Sequence, residues 1–429
     1  MAEGGAAAAD GASDESGGAR VKEPQEGTEW GVEALHDRLE RGEEFFVFDV
    51  RNEDEFASWQ IEGRRPLPTV NVPYYEMLEV DEFDDVIDSF KAFLDQRWVA
   101  KLPRDKEILA VCAKGDTSEY VAEALRRLDF EAFNLAGGTA AWGDHYTVRP
   151  VAETGELAIL QVSRPARGCL SYIVAAGGHA VVIDPLRHVD HYLDAARERG
   201  WEIDLVLDTH GHADHISGGP ALAAATGAPY HLHPYDGIHP IDVLPAKIGY
   251  AYLRDGQTFE IGGHRAEAIH VPGHTLGNTA FLLDNRYLFT GDSIFIESIS
   301  RPDLGGHGDT WAPIHYASLR RLLELPDDTV VLPGHFAGLG EAGEDGRFAA
   351  PLGELRRRND GLVKAAGGEE DFVAYILASL PEFPDEYVEI KRVNAGLVEV
   401  KEARASELEL GKNICALAQA YGQGESGAN

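Results

Sequence analysis

Residues 203–207, Ile-Asp-Leu-Val-Leu, form a short apolar run that reads as a buried strand, and residues 180–183 and 108–111 repeat the pattern. The runs at 203–207 and 108–111 stop at polar, glycine-bearing stretches and the run at 180–183 stops at Asp184, so whatever chemistry those stretches carry lies at a strand end. After the run at 108–111, apolar residues at Val121, Ala122, Leu125 and Leu128 have helical spacing, and Thr117-Ser118-Glu119 supplies the start signal. Cys169 falls in an apolar strand and Cys415 in a helical stretch, which predicts two buried, inert thiols. Residues 341–429 show two helical patterns and a proline-rich segment.

The strand at 203–207 opens into Thr209-His210-Gly211-His212-Ala213-Asp214-His215, three imidazoles and a carboxylate within seven residues. Further ligand-type residues follow at loop positions: His274 in Val-Pro-Gly-His-Thr, Asp292 in Phe-Thr-Gly-Asp-Ser and His335 in Leu-Pro-Gly-His-Phe. Each stands after an apolar run and beside a glycine that lets the backbone approach closely. A single histidine in such a place is ordinarily structural. Seven donors arranged this way predict a metal site.

Cys112 ends the run at 108–111, in the loop Cys-Ala-Lys-Gly-Asp-Thr-Ser. Amide groups there, the following helix N-terminus and Lys114 would favour a sulfur anion and could hold a persulfide.

The ordered set Asp184, His210 to His215, His274, Asp292 and His335 resembles the metallo-β-lactamase superfamily over roughly 155–340. That resemblance implies a four-layer αβ/βα sandwich with the metal at one edge of the paired sheets. Phe46-Val-Phe-Asp-Val-Arg51, the Cys112 loop and Leu135-Ala-Gly-Gly-Thr-Ala-Ala-Trp142 resemble a rhodanese domain, of α/β class. Ala113 stands where many rhodaneses carry arginine, and an acidic segment at about 76–100 interrupts the pattern. The expected organisation is a disordered acidic tail (1–27), a rhodanese-like α/β domain (28–150), a metallo-β-lactamase-like domain (151–340) and an extension (341–429). The extension is expected to pack on the second domain or to build a contact in a homo-oligomer.

Fold resemblance leaves the reaction open. With two zinc ions, His210, His212 and His274 would hold one, Asp214, His215 and His335 the other, and Asp292 would bridge them, as in a glyoxalase II-like thioester hydrolase. With one Fe(II) per chain, His210, His274 and Asp292 would form a facial triad, and the remaining ligands would orient it. The pairing of the two domains is similar to persulfide dioxygenases. It implies oxidation of a low-molecular-weight thiol persulfide by dioxygen to sulfite, with sulfane sulfur exchanged through Cys112. Residues 292–303, ending in Arg301-Pro-Asp303, and 380–396, containing Asn394 and Gly396, also resemble that subfamily. Arg301 would bind a substrate carboxylate or pair with Asp303. Phe336 departs from the polar residues of the animal enzymes, so the thiol is left open.

Composition alters the setting more than the chemistry. Against 38 basic residues, mostly arginine, stand 73 acidic ones, a formal charge of −35. That excess suits a halophilic cytoplasm, where salt at 1 M screens charge over about 3 Å, and it argues against nucleic acid or an anionic membrane as partner. No apolar run reaches ~18 residues, and the start lacks the pattern of a signal peptide. Three scattered cysteines are too few for a disulfide framework. His231 and His233 are expected to face a site entrance or solvent, and His307 to line the pocket or cap a turn.

Overall fold

The computed structural model describes residues 27–78 and 85–421. Most of the acidic tail and residues 79–84 of the acidic segment lie outside the described residues. Three sheets organise the described residues. The first is five-stranded and wholly parallel, in the order Glu29–Trp30, Ala132–Leu135, Ile108–Val111, Phe46–Asp49, Thr69–Asn71. Its central strands are buried and apolar on both faces, as a parallel sheet between helices requires.

The second and third sheets carry the expected buried runs. Seven strands form the second, with Cys169–Ala176, His179–Ile183 and Glu202–Leu207 adjacent at its centre. Six form the third, from Thr258–Ile261 to Ala350–Pro351. Their facing surfaces interdigitate: Val174, Val181 and Leu205 belong to the same buried cluster as Ala268, Phe281 and Phe289, and the Tyr172 and Phe289 rings lie 5.0 Å apart. Side chains of opposite parity, such as Ile173, Val182 and Val206, pack outward beneath Tyr192 and Leu222. Period-two alternation thus sorts one strand set into two cores.

The same topology gathers the ligand-type residues. His179–Ile183 and Glu202–Leu207 are parallel, so Asp184 and the histidine segment leave the second sheet on one edge. In the third sheet, His264–His270 and Tyr287–Gly291 each pair antiparallel with Thr279–Leu283, and Val330–Pro333 lies parallel to Tyr287–Gly291. Those three strands therefore run the same way, and His274, Asp292 and His335 follow their C-terminal ends.

Two details differ from the sequence reading. Thr147–Glu153 is a single strand of the second sheet, so the 150/151 division falls inside it. Among the described residues, the stretch after 341 contains five α-helices, Leu352–Arg358, Asp360–Ala366, Glu369–Ala378, Glu386–Asn394 and Glu402–Leu408. Most are too short to show periodicity. Glu409, just beyond the last, accepts hydrogen bonds from Arg164 and Arg187 at 2.7 Å each and from the Ile216 backbone N–H at 2.7 Å. Arg164 also binds Asp144 of the first domain.

Candidate metal centre

His210, His274 and Asp292 are completely buried, and their Nε2, Nε2 and Oδ2 atoms have no hydrogen-bond partner. These donors lie within 4.8 Å of one another; His274 Nε2 is 3.2 Å and His210 Nε2 3.9 Å from Asp292 Oδ2. Three converging, unsatisfied polar atoms in a dry core would be costly unless they served a bound ion, so the set fits a metal.

Their tautomers follow from what lies behind them. The Thr209 hydroxyl donates to Asp184 Oδ2 (2.9 Å), leaving its oxygen to accept from His210 Nδ1 (2.9 Å). His274 Nδ1 donates to the Arg301 carbonyl at 2.8 Å. Both rings therefore present an Nε2 lone pair to the site. Burial, reinforced by neighbouring imidazoles, pushes His210 well below its ordinary value, and burial lowers His274, so both remain neutral and able to ligate.

Close approach explains two of the glycines. Gly291 has φ 49°, and a Cβ there would lie 2.4 Å from Thr209 Oγ1. At Gly273, φ 154°, a Cβ would meet His315 at 2.5 Å. Asp184 itself adopts φ 53°, and its carboxylate receives the Thr209 backbone N–H at 2.6 Å. This left-handed backbone costs energy that the buried bonds around it offset.

The other ligand-type residues form separate groups. His212 Nε2 turns to Asp184 Oδ1 (3.3 Å) and Asp208 Oδ1 (3.9 Å). Burial opposes its charging, but Asp184 and Asp208 outweigh burial and raise His212 to about 9, while both ring nitrogens are buried without a hydrogen-bond partner. Asp214, His215 and His335 assemble with Cys169, whose Sγ is 3.3 Å from Asp214 Oδ2. His335 Nδ1 donates to Asp292 Oδ1 at 2.6 Å, while its Nε2 faces Asp214 Oδ2 at 2.8 Å. Despite burial, these two carboxylates hold His335 well above its ordinary value.

Cys112 lies elsewhere, at the end of Ile108–Val111. Its Sγ accepts from the backbone N–H of Gly115 (3.1 Å) and Ser118 (3.5 Å), at the start of the helix Asp116–Arg126. Lys114 is exposed in the same loop.

Residues 164–335 match the metallo-beta-lactamase superfamily, and residues 31–145 match the rhodanese-like domain. The chain is a rhodanese-like domain joined to a metallo-beta-lactamase superfamily domain. Over 181 residues it is 34% identical to hydroxyacylglutathione hydrolase of Cereibacter sphaeroides, covering 42% of this chain and 64% of that protein, so it spans less than two thirds of that relative. An uncharacterized protein of Mycobacterium leprae is 32% identical over 190 residues, covering 39% of this chain and 86% of the relative. In structure, a metallo-beta-lactamase from Staphylococcus aureus subsp. aureus COL superposes with a TM-score of 0.50 at 24% identity, covering 58% of this chain and 75% of that one, a likeness of fold.

Around the metallo-beta-lactamase site, several expectations change. Arg301 is completely buried, and its guanidinium grips Asp303 at 2.7 and 2.8 Å and the carbonyls of Pro381, Glu382 and Ile414. That is the ion-pair role rather than the substrate contact. His233 does not face solvent; it stacks on His270 at 4.1 Å. His231, on the strand Tyr230–Leu232, is half-buried. His307 is the N-cap residue of the helix Gly308–Leu322, makes no side-chain cap bond, and lines a cavity. Phe336 stacks on Phe348. Cys415 lies in irregular chain rather than a helix, with its Sγ within 4.8 Å of donor atoms of Asp292 and His335.

Sequence reasoning overlooked Thr209, Asp208 and Lys391. The hydroxyl preceding the first histidine signals Thr209, whereas Lys391, from the C-terminal extension, had no motif. Its ammonium donates to the Gly211 carbonyl at 2.5 Å and borders a cavity of about 270 Å³ with Tyr235, Ile238, Leu276, Leu304 and Trp311. Asn394 clamps the histidine segment by donating to His212 O (2.9 Å) and His215 O (2.8 Å). Among the described residues, no helix is long and apolar enough to cross a membrane.

Proposed function

We propose that the chain is a persulfide dioxygenase with an attached sulfurtransferase domain, converting a low-molecular-weight thiol persulfide, dioxygen and water into the thiol and sulfite. The observation that carries this reading is the division of Asp292: Oδ1 is committed to His335, and Oδ2 alone faces His210 and His274. The donors that gather within 4.8 Å there are two imidazoles and one carboxylate oxygen, the facial set suited to Fe(II), while His212 Nε2 lies nearer Asp184 and Asp208.

Iron bound there would have open positions and would supply the redox chemistry that dioxygen activation needs and zinc lacks. The protein's part is positioning. Asp184 and Thr209 hold the His210 ring, the Arg301 carbonyl holds His274, and His335 holds Asp292. The largely apolar cavity beside Thr275 and Lys391 would bind the organic part of the thiol and limit water. At Cys112, the donor sulfur–sulfur bond would break as a cysteine persulfide forms and the donor thiol leaves, with the Gly115 and Ser118 N–H groups receiving the anionic sulfur.

A second reading, hydrolysis of a thioester at a metal pair, draws on the likeness to hydroxyacylglutathione hydrolase. Sulfite formed in step with oxygen consumed, from a supplied thiol persulfide, is the expected result. Cleavage of an acyl thioester with no oxygen consumption contradicts the proposal.

A further inference from the structure

We propose that the cavity beside the metal loops selects persulfides of compact, uncharged, largely apolar thiols, and discriminates against charged, peptide-like ones. The inference rests on the dioxygenase reading for the reaction and takes the substrate class from the cavity's own walls.

The cavity, of about 270 Å³, adjoins the first metal position through Thr275 and Leu276, which directly follow His274. Apart from histidines, Asp236 and Lys391 are its charged lining residues, and both are fixed to Gly211, between His210 and His212. The Lys391 ammonium donates to the Gly211 carbonyl at 2.5 Å. Asp236 accepts the Gly211 N–H (2.8 Å) and the Thr275 hydroxyl (2.6 Å) on Oδ2, and the Gly277 N–H (2.9 Å) on Oδ1. Charge is thus gathered on the side of the metal loops, where an anionic persulfide sulfur would meet the ammonium.

The remaining wall includes Tyr235, Ile238, Val243, Leu304 and Trp311. His239 adds no charge to it. Its Nδ1 accepts the Asp242 N–H at 3.0 Å, so Nε2 holds the ring proton and donates to the Val388 carbonyl at 3.3 Å, and burial keeps the ring below its ordinary pKa. His307 is exposed to solvent. An ammonium or carboxylate on the body of the thiol, pressed against this wall, would lose water without gaining a partner. The volume also falls below the roughly 300 Å³ at which sites for larger ligands begin.

Apolar surface continues outward from the cavity. Tyr235, Ile238, Ile241, Val243 and Leu244 are all exposed within ten residues, on a chain of formal charge −35. Single exposed apolar residues are ordinary, but such a cluster marks a binding surface. The loop is also fastened: His239 N–H donates to Leu244 O and Val243 N–H to His239 O, each at 2.8 Å, and Arg392 grips Asp242 at 2.7 and 2.9 Å. Val243 adopts φ 55°, a backbone that a β-branched residue holds only where its surroundings enforce it.

Thioethers copy the organic body without a reactive sulfur–sulfur bond, so binding is measured apart from turnover. The full chain, as purified, is titrated calorimetrically with methyl propyl, methyl butyl and methyl pentyl sulfide and with S-methylglutathione. Affinity is expected to rise about fourfold per added methylene, the value of burying one CH₂, and S-methylglutathione should bind more weakly than the pentyl compound. Ile238→Asp, at a half-exposed position that the fold does not depend on, should weaken the alkyl series and flatten its slope. A flat series in the wild type, tighter binding of S-methylglutathione, or unchanged affinities in Ile238→Asp would each overturn the inference. Oxygen uptake is then compared for pentyl and glutathione persulfides, with the higher kcat/KM expected for pentyl; the reverse order also overturns it. A graded thioether series with no uptake on either persulfide would instead sink the dioxygenase reading and leave the cavity's selectivity standing.

Discussion

His335 Nδ1 lies 2.6 Å from Asp292 Oδ1, and this bond decides how the carboxylate can ligate. It occupies one oxygen and aims the other at His210 and His274. Removing an outer partner of this kind typically costs about 10–100-fold in metal affinity. His335→Gln is therefore expected to weaken metal binding by about that factor, measured by competition with a chelator. Unchanged affinity would mean that Asp292 needs no such support.

The two domains should be separable by a single atom. Cys112→Ser removes the sulfur nucleophile but retains the strand-to-helix loop, so sulfur exchange should disappear while oxidation of a supplied persulfide continues at the wild-type rate. Paired assays of sulfur transfer and oxygen uptake check this. Loss of both activities in a folded variant would show that the sites work in series.

Acid stability should carry the mark of His315. Burial holds its folded value at about 3, below the ordinary 6.5, so the unfolded chain takes up the proton first. Its stabilising effect is fully present above pH 6.5 and falls as pH drops through the window from 6.5 towards 3, by up to about 1.4 kcal/mol per pH unit. Denaturant melts at fixed high salt should show this slope, and His315→Leu should flatten it by one proton. An identical pH slope in the variant would assign the acid sensitivity to other groups.

Much of this arrangement was legible before any coordinates. The strands ending at Leu207, Gly291 and Pro333 were visible as apolar runs, and a parallel strand must deliver the residue after it to one edge of its sheet. Chain order also announced Cys112 before a helix. Orientation was less accessible. His210 and His212 are equivalent in the sequence, and only the placement of Asp184 and Asp208 turns the second away. Arg301 reads equally well as a substrate contact or an ion pair until the carbonyls of 381, 382 and 414 close around it. Cys169 and His335 are brought together by a single bridge between distant segments, which periodicity cannot reveal.

The formal charge of −35 leads to a salt prediction. When ionic strength falls from molar concentrations to 0.1 M, the screening length grows from about 3 to about 10 Å, and repulsion across the acidic surface extends accordingly. The melting temperature should fall steadily with dilution of KCl. A melting temperature independent of salt would remove the halophilic inference.

The central claim is iron-dependent oxidation at His210, His274 and Asp292. It is tested most directly by elemental analysis of protein purified anaerobically in high salt, coupled to oxygen uptake on a simple thiol persulfide. The account predicts about one iron per chain and uptake that requires the persulfide. A chain holding two zinc ions, without iron and without oxygen uptake, would contradict it and move the protein to the metallohydrolases.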